Sequence, residues 1–432
     1  MNGDLEERMY LPRSDALRTI WWWLIPSTVL LILFLSSWIT RIYENPYHTA
    51  TDPPVFLYTG WLLVEGKLVY VHFWDIKPPV IHYTTAILYL LTGGNPLMTH
   101  ILATTVGAAA MVGSAIMVSA LVEEYTNNKK AAFTAASSLL AFPTYYSLPA
   151  GGIRPKYLFC FFGLVAMYLY INETFVFAGA FAALSAGTYQ LGLIFVFIVL
   201  MGAYRDQTAF INTTVSIGIV GFVIIAPFLL AGELWAMARQ VVLIPILDRS
   251  NAEVTALARV QNIIRYLPFA GALTLFGIGG AVLEYINTKN IRWLLLVIIL
   301  FLLTSLFVDL NGPPDLLQLV TFGAIGLGLL AGRLSAVDIN YAHGVMTGDQ
   351  AAALLIVIAV LMTIPSLIGV IIESDATITP VADLYFDQNH VAKCHVRMST
   401  TEKWWVKVSG VEPTRERCDY AVQRMIQYLR FR

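Results

Sequence analysis

Five ionisable residues interrupt apolar sequence in a way that invites chemistry: Asp52, Asp75, Lys77, Arg154 and Lys156. The first three lie in a stretch unlike the rest of the chain, Arg41-Ile-Tyr-Glu44-Asn-Pro-Tyr-His48-Thr-Ala-Thr-Asp52-Pro-Pro-Val-Phe-Leu-Tyr58-Thr-Gly60-Trp61, which continues to Gly66-Lys67-Leu-Val-Tyr70-Val-His72-Phe73-Trp74-Asp75-Ile76-Lys77-Pro78-Pro79. It is both aromatic and acidic. Aromatic residues favour the membrane interface, and ionisable groups at that depth are costly unless they pair or face a wet cavity, so they are functional candidates by default. A carboxylate held there can move a proton, and cations beside it can stabilise developing negative charge. Glu44, Tyr58, His72 and Arg265 are further candidates of the same kind.

These residues must be positioned by membrane-spanning helices. Of 432 residues, 57% are hydrophobic and only 13% charged, and the mean hydropathy is +0.68, whereas soluble domains carry about 25% charged residues. A polytopic, all-α membrane protein is the class that remains. A span needs about 20 apolar residues; the runs 20–40, 96–122, 131–150, 157–172, 174–204, 208–231, 267–283, 293–308, 316–332 and 351–372 qualify. The run 174–204 carries a polar break, Gly187-Thr188-Tyr189-Gln190, and is expected to cross twice, which makes about eleven crossings. Residues 80–93 are too short for a span and read as an interfacial or half-inserted helix. Residues 54–66 predict a short helix lying flat on the membrane, with Asp52 at its amino-terminal edge, where an aspartate can also serve merely as a cap.

Lys and Arg in short loops set the orientation. With the amino terminus inside, Lys129-Lys130, Arg205, Lys289 to Arg292 and Arg333 fall inside, and the first loop, 42–79, falls outside. Arg154 and Lys156 then lie outside, as do Arg239, Arg249, Arg259 and Arg265 in a long loop, against the rule. Either a crossing is misplaced or these residues form a basic surface for an anionic ligand.

Charge divides the chain into a membrane body, 1–372, and an extracytoplasmic tail, 373–432, which holds 17 charged residues while 78–122 hold none. Cys394 and Cys418 both lie in that tail and are candidates for a disulfide on the oxidising side, with two unrelated thiols as the alternative. A net charge of -1 calls for no nucleic-acid partner. Walker, Rossmann and nucleophile-elbow patterns are absent, as is zinc spacing of Cys and His.

The order Asp52, then Gly60-x-x-Leu63-x-x-Gly66-Lys67-x-x-Tyr70, then Phe73-Trp74-Asp75-Ile76-Lys77-Pro78-Pro79, then a short apolar run ending in Gly94, resembles a known signature. It is similar to the amino-terminal region of the polyprenyl-phosphate-sugar-dependent glycosyltransferases of the GT-C fold, a superfamily that includes protein O-mannosyltransferases and the aminoarabinose transferase of lipid A. The resemblance covers roughly residues 40–96. It implies that Asp52 is the first-loop acid, deprotonating an acceptor hydroxyl, and that Lys77 is the lysine that offsets the departing phosphate, with Arg154 and Lys156 candidates for the same phosphate by position. Two departures matter: Ile76 separates Asp75 from Lys77, which suggests that Asp75 orients Lys77, and Pro53 replaces the acid that follows the first-loop Asp in several relatives.

The expected function is therefore transfer of a sugar, mannose or another hexose, from a polyprenyl or dolichyl phosphate donor to an outward-facing lipid-linked glycan, protein or lipid acceptor, with inversion and with the site on the extracytoplasmic face. No cofactor is expected, and relatives differ on whether a divalent metal assists. The rival from another class is a secondary transporter or lipid flippase, but such proteins show paired repeats and charges near the midplane, whereas here the unusual residues crowd one outer loop. A non-catalytic subunit of a glycan-assembly complex would predict loss of Asp52.

Overall fold

The computed structural model describes residues 13–44, 52–73, 75–247, 256–266, 270–288, 291–307, 313–336, 339–341, 344–362 and 364. Cys394, Cys418 and the rest of the tail lie outside these residues. The described chain is helical apart from one hairpin, β1 (Ile339–Tyr341) paired antiparallel with β2 (Gly344–Met346).

A long helix, α1 (Arg13–Glu44), leads into two short ones, α2 (Pro53–Val64) and α3 (Val80–Leu91), joined by the loop that carries Asp75 and Lys77. Both short helices fall close to where the sequence places them: Pro53 and Pro54 open α2, since a proline at the first helical turn loses no hydrogen bond, and Gly93 and Gly94 take positive φ beyond the end of α3. Next come α4 (Pro96–Thr126), capped by the Asn95 side chain on Met98 N, and α5 (Lys129–Ser138), capped by Asn128. The apolar run 131–150 is not one helix. It breaks into α5, a turn at 139–141, α6 (Thr144–Ser147) and a turn at 149–151, because Pro143 and Pro149 cannot continue the hydrogen-bond ladder.

The run 174–204 divides at its polar break. α7 (Pro155–Ile171) is followed by α8 (Phe175–Thr188), a single turn at 190–192 and α9 (Leu193–Ala203). The fold-back is tight: a Cβ at Gly192 would strike the backbone of Ser185. Beyond lie α10 (Gln207–Leu230), the short α11 (Leu234–Ala238) and α12 (Ile244–Leu247), α13 (Ala256–Tyr266), α14 (Ala270–Thr288), α15 (Arg292–Phe307), α16 (Leu317–Ser335) and α17 (Gly348–Leu361).

Among the described residues, five helical segments are long and apolar enough to cross a membrane by length and composition: Ile20–Tyr43, Pro96–Thr126, Gln207–Leu230, Ala270–Thr288 and Pro314–Ser335. Their exposed apolar side chains, such as Ile32, Ile39, Phe222 and Leu275, suit a lipid environment. The chain is an integral membrane protein. Any count of eleven crossings depends on the shorter apolar helices, including α7, α8 and α15. α16 lies at the centre, with most of its residues buried against its neighbours.

Residues expected on one side of the membrane meet in space. Arg333 Nε donates to Glu284 Oε2 at 2.5 Å, and Asn128 Nδ2 donates to Ser335 Oγ at 2.7 Å, which joins the ends of α14, α16 and α5. Loops assigned to the opposite side, around 52, 77, 154 and 315, also converge.

Candidate functional site

Asp52 stands at the cap position of α2, but its side chain makes no cap hydrogen bond. Its Oδ2 instead accepts from Arg154 Nη1 at 2.8 Å. The Arg154 side chain is mostly buried, at 14% exposure, and Asp52 is open, at 39%. Arg154 has extended backbone because Pro155 follows it and opens α7. Gly152, two residues earlier, has φ +118°, and a Cβ there would lie 2.5 Å from Pro53 Cβ. Only glycine lets this loop press against the start of α2 and bring arginine to the aspartate.

A second group forms around Tyr189, in the polar break between α8 and α9. The Lys77 and Lys156 ammonium groups lie 4.7 and 5.9 Å from the centre of its ring, inside the range of cation–π attraction. Lys156 also pairs with Asp315, which stands just before α16. Gln190 donates to Ile76 O and, at 3.2 Å, to Val241 O, which pins the loop before Lys77 against the break. Two ammonium groups thus stand beside one phenol.

A third, buried group lies beneath Lys77. Asp75 is 1% exposed, and its Oδ1 accepts from Lys77 N at 3.1 Å. Tyr70, a non-glycine residue at φ 71°, donates its hydroxyl to Lys77 O at 2.5 Å. Both backbone polar groups of Lys77 are thus held by side chains. Gln240 ties the loop down, donating to Tyr70 O at 2.6 Å and accepting from Asp75 N at 3.2 Å. His82 faces Asp75, with Nε2 at 3.7 Å from Oδ2. Burial, with smaller contributions from Asp75 and Tyr83, pushes the Tyr70 phenol well above its ordinary range, so it stays a donor.

Of the residues named from sequence, Asp52, Asp75, Lys77, Arg154 and Lys156 fall into these linked groups. Arg154 and Lys156, two residues apart, connect the first to the second. Tyr58 is buried, its ring 5.5 Å from both Trp61 and Phe73. His72 is exposed, its Nδ1 3.2 Å from Leu68 O. Glu44 closes α1, and Arg265 is exposed in the last turn of α13. Tyr189, Gln190, Asp315, His82, Thr59 and Gln240 join these groups without a sequence signal of their own, apart from the polar break that contains Tyr189 and Gln190. Among the described residues, no three His, Cys, Asp or Glu side chains group to hold a metal ion.

Residues 66–229 match the family model described as DolP-mannose mannosyltransferase. A dolichol phosphate-mannose mannosyltransferase of Haloferax volcanii is 26% identical over 290 residues, covering 66% of this chain and 63% of the relative, so the chain matches less than two thirds of that protein's length. Among solved structures, ArnT from Cupriavidus metallidurans bound to undecaprenyl phosphate superposes with a TM-score of 0.56 at 15% identity, over 90% of this chain and 69% of that one. The archaeal oligosaccharyltransferase AglB from Archaeoglobus fulgidus, in complex with an inhibitory peptide and a dolichol-phosphate, gives 0.54 at 13% identity, over 92% of this chain and 60% of that one. By its helical architecture and its superposition on ArnT and AglB, this chain is an all-α membrane protein of the GT-C fold.

Proposed function

We propose that this chain transfers a mannosyl residue from dolichyl-phosphate mannose to an acceptor hydroxyl on the extracytoplasmic side. The observation that carries the reading is the pairing of an open carboxylate, Asp52, with Arg154, two residues along the chain from Lys156, which with Lys77 flanks Tyr189. The similarity of residues 66–229 to DolP-mannose mannosyltransferases supports this donor.

Asp52 acts as the base. The acceptor oxygen attacks the anomeric carbon from the face opposite the phosphate and forms the new C–O bond. The bond from the anomeric carbon to the phosphate oxygen breaks, its electron pair leaving on the phosphate, and the acceptor proton passes to Asp52. Configuration inverts, and dolichyl phosphate is released. Lys77 and Lys156 offset the charge that develops on the phosphate, and Arg154 orients Asp52. Asp75, buried and bonded to Lys77 N, positions the lysine rather than touching the acceptor. The acceptor is a lipid-linked glycan, a protein or a lipid.

The test supplies purified protein in lipid with radiolabelled dolichyl-phosphate mannose or dolichyl-phosphate glucose, together with a membrane extract as the source of acceptor. Transfer from the mannose donor is expected. Movement of lipid-linked sugar across sealed vesicles, with no transfer to any acceptor, would instead establish the flippase reading.

A further inference from the structure

Asp75 is a carboxylate taken almost wholly out of solvent, and such a group is costly unless donors or a cation compensate it. Lys77 N serves Oδ1. Oδ2 has no hydrogen-bond partner among the described residues, and neither has Nε2 of His82, the ring nitrogen that faces it at 3.7 Å. Both side chains are buried, at 1% and 2% exposure.

The histidine is held from its other side. Thr59 Oγ1 lies 2.7 Å from His82 Nδ1 and 3.0 Å from Phe56 O. A neutral imidazole carries one N–H. A lone pair on Nε2 would be repelled by the Asp75 carboxylate, so the ring proton sits on Nε2, facing Oδ2, and Nδ1 accepts from the Thr59 hydroxyl. The chain of contacts runs from Thr59 on α2 through His82 on α3 and Asp75 in the loop to the backbone of Lys77.

We propose that His82 is a positioning residue for the donor site: bridging Thr59 and Asp75, it holds the Asp75 carboxylate in the orientation that fixes Lys77 for the lipid phosphate. This rests on the donor reading above. The polar contacts of His82 run to Thr59 and Asp75 and not to Asp52, so it governs donor affinity and leaves the bond-forming step alone.

The experiment measures binding of dolichyl phosphate, with uncharged dolichol as control, to purified protein in lipid nanodiscs, alongside KM and kcat for dolichyl-phosphate mannose. His82→Asn can still bond Thr59 but is too short to meet Asp75. It should bind dolichyl phosphate about tenfold more weakly, on the scale of a buried polar group that loses its neighbour, and raise KM while kcat stays within about twofold. Thr59→Val, which keeps the shape, should move both quantities in the same direction by a smaller factor, and Thr59→Ser should restore them. Equal binding by wild type, His82→Asn and Thr59→Val overturns the inference, as does a loss confined to kcat. If wild type itself does not prefer dolichyl phosphate to dolichol, the donor reading falls and this inference falls with it.

Discussion

Arg154 Nη1 meets Asp52 Oδ2 at 2.8 Å across 102 residues of sequence. The contact takes the place of a helix cap, because the carboxylate makes no bond to the helix it precedes. It also ties the first loop to the start of α7, where Lys156 reaches toward Tyr189.

The base should be separable from the binding residues. Asp52→Asn keeps size and hydrogen bonding but cannot take a proton, so turnover should fall by about 10²-fold or more, the scale of a lost general base. Binding of dolichyl phosphate should be retained. Full activity in a folded Asp52→Asn protein would remove Asp52 from the mechanism.

Lys77→Ala should act the other way, weakening donor binding. Tyr189→Leu removes the ring that both ammonium groups approach while keeping an apolar side chain. A cation–π contact is worth about 0.5–2 kcal/mol, so KM for the donor should rise severalfold. Tyr189→Phe retains the ring and should behave like wild type; steady-state kinetics against donor concentration decides.

Packing between α2 and α3 depends on Gly60. A Cβ there would lie 2.6 Å from Thr85 Oγ1 and 2.7 Å from the Thr85 carbonyl carbon, and the second of these is backbone. Thr85 is itself fixed, donating to Phe56 O at 2.7 Å. Gly60→Ala should therefore cost about 1–3 kcal/mol, as overpacking does, seen as a lower midpoint of thermal unfolding in detergent. Because α2 carries Thr59 and α3 carries His82, donor affinity should fall as well.

Orientation can be read from cysteines placed at exposed positions. Lys67→Cys, in the loop before Asp75, should react with a membrane-impermeant reagent from outside intact cells, whereas Lys130→Cys, at the other end of the helices, should react only after permeabilisation. The reverse pattern would put the site on the cytoplasmic face.

The class of the protein was legible in local sequence because hydropathy and proline are local signals. Apolar runs beginning at Ile20, Pro96 and Thr208 became long helices, and Pro53, Pro96 and Pro155 each opened one. The spacing of Asp52 and Lys77, and the polar break at Tyr189, could also be read without a structure. Length alone misleads where prolines fall within an apolar run: 131–150 has the length of a span, yet Pro143 and Pro149 divide it. Which groups meet was a matter for tertiary structure. Hydropathy cannot say that Lys156 reaches Tyr189 and Asp315, or that the Asp75 side chain turns inward to Lys77 N while His82 closes over it. Those pairings join segments far apart in the chain, and they are decided by how closely helices approach, as at Gly60 and Gly152, where the absence of one Cβ lets two elements touch.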